Sequence, residues 1–171
     1  RYACAGRELL RDFDAWPLPF PNDDLAAASL DDPTRPLRGH AVHTAEHLRA
    51  VAFGGDDNGR LRSALHKLRL SATPSGALIG DESLHGLPHP QAGYEYCTLT
   101  ELVFGLGRAA QALADPTLGD WLERVTFNAA QGARAADGRA LAYLCSDTRL
   151  DATAHRPDSY SLLTGRHGRY K

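Results

Sequence analysis

Between Leu99 and Leu113 the apolar residues Leu99, Leu102, Val103, Leu106, Ala110 and Leu113 recur at i, i+3, i+4 and i+7 without a break. That periodicity makes one buried stripe on an α-helix and is incompatible with a strand. Gly105 and Gly107 lower the helix propensity of the segment but let a second backbone come close. Just beyond the stripe, Asp115-Pro116 supplies an N-cap followed by proline at the first helical position. A further helix is expected almost at once, with Leu118, Trp121, Leu122, Val125 and Ala129 on its core side and Gly132 as its stop. So short a link makes the pair an antiparallel αα-hairpin.

The first half of the chain follows the same grammar. Arg38 to Phe53 carries Ala41, Ala45, Leu48 and Ala52 at helical spacing, and Gly54-Gly55-Asp56-Asp57 breaks the pattern. Asp56 or Asp57 can cap the next helix, whose core side reads Leu61, Ala64, Leu65 and Leu68, giving a second hairpin. Upstream, Arg1 to Trp16 reads as a helix through Tyr2, Leu9, Leu10 and Phe13 and stops at Trp16-Pro17. Five prolines between Pro17 and Pro36 predict an irregular excursion over residues 17–37. Asp137-Gly138 should turn the chain into a short strand from Arg139 to Cys145, and residues 146–171 read as a polar, loop-like tail leading out of an unfinished domain. The expected class is all-α, with one short strand or hairpin near the C-terminus.

Residues able to do chemistry gather in the connections. In Gln91 to Cys97, QAGYEYC, a carboxylate (Glu95) and a soft thiol (Cys97) stand two positions apart. Thr98-x-x-Glu101 has the form of a capping box, so the helix should start after Cys97 and leave the pair in an extended approach, projecting to one side. Such a pair can converge on a metal, although a closed zinc centre needs about four ligands; otherwise it is a buried thiol beside a surface glutamate. His40, His43 and His47 lie off the apolar side of their helix, next to Glu46. They lack the zincin spacing and read as a hydrated or substrate-facing polar stripe. Glu82, in a loop with Asp81, His85 and Gly86, suits a general acid if its surroundings are partly desolvated and is otherwise a solvated carboxylate.

Composition narrows the partners. With 19 basic and 21 acidic residues and no block of like charge, the chain is not suited to nucleic acid or an anionic membrane surface. No apolar run approaches the roughly twenty residues that span a bilayer, and no charged-then-apolar leader is seen. Cys4, Cys97 and Cys145 are an odd number at irregular spacing, which is not a disulfide framework. Their number does not fix a compartment. A chain that opens on Arg1 and contains no methionine is expected to be a processed or truncated product.

Four stretches in order carry a family resemblance: GHAVHTAEHLRA from Gly39 to Ala50, SGALIGDESLHG from Ser75 to Gly86, GYEYCTLTEL from Gly93 to Leu102, and DWLERVTFNAAQGA from Asp120 to Ala133. Together they resemble the β-L-arabinofuranosidase family of glycoside hydrolases, family 127 and its relatives. The resemblance implies an (α/α)6 barrel, of which this chain would be a piece, holding zinc through one glutamate and three cysteines, one of them also the nucleophile. Glu95 and Cys97 match the Glu-x-Cys metal motif. Glu82 matches the acid/base glutamate, and His40, with His43 beside it, matches a histidine facing the sugar. A Cys-Cys motif expected downstream is absent from this sequence, and the single Cys145 does not replace it. The expected function is a zinc-dependent retaining glycosidase with a carbohydrate substrate, the fragment alone being inactive. The rivals are a non-catalytic carbohydrate-binding or scaffold protein on the same toroid, and a toroid-type sugar epimerase or lyase.

Overall fold

A computed structural model describes residues 2–15, 30, 32–34, 36–54, 58–80, 83–85, 93–134, 139, 141–148, 159–160 and 167–168. Helices dominate it, as the periodicity requires. In chain order they are α1 (Tyr2–Ala15), α2 (Ala41–Gly54), α3 (Asn58–Leu70), α4 (Tyr96–Leu113) and α5 (Thr117–Arg124), the last running on into a π-helical segment, Val125–Ala130. Short strands join them: β1 (Arg38–His40), β2 (Ser83–His85), β3 (Tyr94–Glu95), β4 (Leu144–Cys145), β5 (Ser159–Tyr160) and β6 (His167–Gly168). They form three separate antiparallel pairs, β1 with β2, β3 with β4, and β5 with β6.

The apolar stripes read from the sequence are the core. Leu99, Leu102 and Leu106 of α4 are fully buried, as are Ala41, Ala45 and Leu48 of α2, and Leu61, Ala64, Leu65 and Leu68 of α3 face the same interior. Leu118, Trp121, Val125 and Ala129 continue it through α5 and the π-helical turn. Asp115 performs its capping role: its carboxylate accepts the Thr117 backbone N–H at 3.0 Å and the Thr117 hydroxyl at 2.8 Å, and Pro116 enters the helix with φ −65°.

What periodicity does not specify is which helices pack together. The main neighbour of α2 is α4, more than its hairpin partner α3. Contacts between α2 and α4 rise in step along both chains. His40, just before α2, lies beside Glu95, just before α4; Arg49 meets Glu101 at 3.0 Å and covers the Phe104 ring; and Arg108 covers the Phe53 ring near both C-termini. The two helices are therefore parallel, with their N-terminal ends side by side. Gly105 permits their close approach, since a Cβ there would stand 3.0 Å from Leu48 Cδ2 and 3.3 Å from the Ala45 carbonyl oxygen. Gly107 has no such role; its nearest contact would be Leu122 Cδ1 at 3.7 Å.

Several sequence expectations need correction. The strand expected over Arg139 to Cys145 contracts to Leu144–Cys145, with Leu141 forming an isolated bridge to Arg134. The tail is not wholly loop-like, because Ser159 and Tyr160 pair with Gly168 and His167. On α1, Leu9 points to solvent, whereas Leu10, from the same apolar set, packs with Gly6 against α2 at Phe53 and Gly54. The Asp56 and Asp57 caps, the Asp137-Gly138 turn and most of the 17–37 excursion lie outside the described residues. No helix among the described residues is long and apolar enough to cross a membrane.

Candidate metal and catalytic site

The Glu95–Cys97 pair converges, by a route other than the expected one. Helix α4 starts at Tyr96, not after Cys97, with Glu95 as its N-cap in extended conformation (φ −101°, ψ 151°). The capping box does not form. Thr98 is buried within the first turn, and Glu101 turns to Arg49 instead of reaching back. The physical reason is the neighbouring strand: the Tyr143 carbonyl, next to β4, accepts the Tyr96 N–H at 2.8 Å. One of the unpaired amides of the helix start is thereby satisfied without a side-chain cap. Pairing of Glu95 with Leu144 and of Tyr94 with Cys145 then fixes the direction in which Glu95 projects.

Around that carboxyl the contacts are close. The Cys97 thiol donates to Glu95 Oε1 at 2.6 Å, the Thr98 hydroxyl donates to the same oxygen at 3.4 Å, and His40 Nε2 lies 3.6 Å from it. Glu95 is fully buried, and its second oxygen, Oε2, has no hydrogen-bond partner among the described residues. Burial, then the hydrogen bond to Glu95, pushes the Cys97 thiol up to about 11. The Tyr143 hydroxyl, 3.3 Å from Sγ, opposes that shift by donating to sulfur. At neutral pH, with nothing else bound, Cys97 is a protonated thiol serving as a donor.

The histidines do not form the single stripe that was expected. His40 ends β1, ahead of the helix; His43 is exposed on α2, with its ring edge-on to His40 at 4.5 Å; and His47 is buried. His40 and His43 thus stay together while His47 joins the interior. Glu82 lies outside the described residues. Its neighbour Ser83 pairs with His40 across β1 and β2.

On the opposite side of β3, Tyr94 takes part in a different cluster. Its hydroxyl donates to Asp147 and accepts from Ser75, while the Ser75 N–H donates to Asp147 Oδ2 at 2.9 Å. Burial, reinforced by Asp147, holds the Tyr94 phenol well above its ordinary range. These residues line a cleft of about 420 Å³ with Asn128, Cys145 and Ser146. The strand's alternation separates this cleft from Glu95. Sequence reasoning missed Tyr143, Ser75 and Asp147, and no spacing rule could have found them, since each reaches its partner across long sequence separations.

A carboxylate oxygen lacking a partner at full burial, next to a soft thiol, fits zinc in ligand type. Among the described residues, however, no group of three or more His, Cys, Asp or Glu side chains is arranged to hold a metal ion. No protein-family model and no curated protein matches the chain.

Proposed function

We propose that this chain is part of a zinc-dependent retaining glycoside hydrolase of the β-L-arabinofuranosidase type, acting on a carbohydrate substrate. The observation that carries the reading is the 2.6 Å convergence of Cys97 Sγ on Glu95 Oε1, with Oε2 buried and unpartnered among the described residues. A buried carboxyl group normally finds partners for both oxygens, so an atom left over beside a thiol argues for an external cation. Parallel neighbours α2 and α4, each leading into a peripheral helix, are also the arrangement expected of inner helices in an (α/α)6 barrel.

Glu95 and Cys97 would hold zinc, the rest of the ligand set being assigned by resemblance to a Cys-Cys motif that this chain does not contain. Zinc so bound would keep a cysteine as thiolate at neutral pH. The nucleophilic cysteine belongs to that same motif. Glu82 protonates the departing glycosidic oxygen and then takes a proton from the water that releases the sugar, as an acid/base residue does in a retaining mechanism. His40 and His43, at the N-terminal end of α2, bind and orient the sugar hydroxyls. Fully buried Glu95 keeps its donor oxygens away from bulk water.

The test uses the parent protein carrying this chain. It is expected to contain zinc and to hydrolyse aryl β-L-arabinofuranosides, and Glu95→Ala and Cys97→Ser should lose both properties. Glu82→Gln should retain zinc and lose activity on poor leaving groups far more than on activated aryl ones. Full activity in a metal-free preparation overturns the mechanism, and equal loss on both substrate types removes Glu82 as the acid.

A further inference from the structure

We infer that the cleft beside Tyr94 is a binding site for an uncharged polyhydroxyl ligand, a single sugar ring or a cyclic polyol, separate from the Glu95 site. At about 420 Å³ it has the size of cavities that hold small molecules. Among the described residues that line it, Asp147 is the one charged side chain and none is Lys, Arg or His, so a phosphate or carboxylate ligand would meet repulsion with no compensating cation. The hydrogen bonds along its wall run toward that carboxylate. Ser75 Oγ donates to the Tyr94 hydroxyl and accepts from Thr73 Oγ1 at 2.9 Å, Tyr94 donates to Asp147, and the Ser75 N–H donates to Asp147 Oδ2 at 2.9 Å. Asp147 is thereby held in place yet stays exposed, with lone pairs left to accept hydrogen bonds from a ligand.

Asn128 and Ser146 decide the kind of ligand. An amide side chain and a hydroxyl each donate and accept, so beside the acceptor-only carboxylate they complement a row of hydroxyl groups, which also do both. An ammonium ligand would satisfy Asp147 but has no acceptor to offer the Asn128 amide hydrogens. Three elements hold these groups in register. The Trp121 indole N–H donates to the Gly76 carbonyl at 2.8 Å and ties the loop after α3 to α5; Cys145 pairs with Tyr94 and sets the direction of Ser146 and Asp147; and the π-helical turn carries Asn128. Turns of that kind recur at functional sites. Gly132, four residues beyond Asn128, keeps the cleft open, since a Cβ built there would meet nothing within 4 Å. Alternation along β3 turns Tyr94 and Glu95 to opposite sides, so the inference does not depend on the zinc reading.

The experiment measures binding of L-arabinose, D-xylose, D-galactose and myo-inositol to the parent protein by saturation-transfer NMR, with inorganic phosphate and ethylammonium as charged probes. The same titrations are run on a His40→Ala, His43→Ala double variant, which removes the sugar contacts assigned to the other site. At least one neutral probe should bind both proteins. Adding Gly132→Leu fills the cleft from a helical position with open space around it and should abolish that binding while the unfolding midpoint stays unchanged. Asn128→Ala, at an exposed position, should weaken it about fivefold. Failure of every neutral probe to bind the double variant refutes the inference. Binding lost in the double variant and kept in Gly132→Leu puts the sugar at the proposed hydrolytic site, which also refutes it and leaves the proposed function standing. Binding through Gly132 of a charged probe alone overturns the ligand class. Should Gly132→Leu lower the midpoint, Asn128→Ala decides, and an unchanged affinity there counts against the cleft. Cleft binding in a parent protein that hydrolyses no glycoside would sink the proposed function and keep this inference.

Discussion

Gly105→Ala sets two physical effects against each other with opposite signs. Helix propensity alone favours alanine by about 1 kcal/mol in a helix interior. Packing opposes it, because the new Cβ would stand 3.0 Å from Leu48 Cδ2, 3.2 Å from Leu48 Cγ and 3.3 Å from the Ala45 carbonyl oxygen. Leu48 is fully buried and the carbonyl is backbone of α2, so neither neighbour can yield without moving the helix. Overpacking of this kind costs roughly 1–3 kcal/mol, which outweighs the propensity gain and leaves a net loss of about 1 kcal/mol. Gly107→Ala and Gly119→Ala are internal controls, since the first meets only Leu122 Cδ1 at 3.7 Å and the second meets nothing within 4 Å. Both should gain up to about 1 kcal/mol. Urea unfolding of the three variants under one condition makes the comparison. Should Gly105→Ala be stabilised as much as the controls, the close parallel packing of α2 on α4 is refuted. Because His40 and Glu95 stand at the N-terminal ends of those helices, the same variant is expected, on the proposed zinc reading, to weaken metal binding where the controls do not.

Trp121→Phe removes the indole N–H donated to the Gly76 carbonyl at 2.8 Å in a buried setting; a loss of about 2 kcal/mol is expected, and a change below roughly 0.5 kcal/mol on urea unfolding would show that the carbonyl finds another partner. The Asp115 carboxyl is held below its usual range by the Thr117 hydroxyl and backbone N–H. Its contribution is therefore fully present above the unfolded value of about 3.9 and is lost as pH falls through the lower folded value. Asp115→Ala should accordingly be less stable than wild type at pH 7, and the two unfolding midpoints should converge in strong acid; a gap independent of pH would refute the charged cap. Since the Cys97 thiol is pushed up to about 11, iodoacetamide should modify it slowly at neutral pH in metal-free protein, at a rate that climbs with alkaline pH toward that value. Rapid modification at pH 7, located by peptide mapping, contradicts the thiol donor described for Cys97.

How much of the site could be read in advance follows from how far each interaction reaches. Glu95 and Cys97 are two residues apart, and a carboxylate and a thiol at that distance can be judged from local geometry; the pair was recognised even though its capping box was not real. The capping error has a tertiary cause: the helix begins earlier, at Tyr96, whose amide is met by the Tyr143 carbonyl 47 positions further on. Placement of His40 beside Glu95 and of Tyr143 beside Cys97 likewise depends on strands and helices distant in sequence.

By itself, the sequence determined that this chain is helical, which residues of α2, α3, α4 and α5 face inward, and that Asp115 starts α5. These are matters of a 3.6-residue period and of short-range hydrogen bonding, both of which act over a single turn or two. Only the tertiary structure decided that α2 lies parallel to α4 at a glycine crossing, that His47 turns inward while His40 stays at the site, and that a strand takes over the capping of α4. An apolar stripe is equally content against any complementary stripe; the choice of partner depends on where a side chain is missing, as at Gly105, and on which backbone groups still need a hydrogen bond once the helices have met.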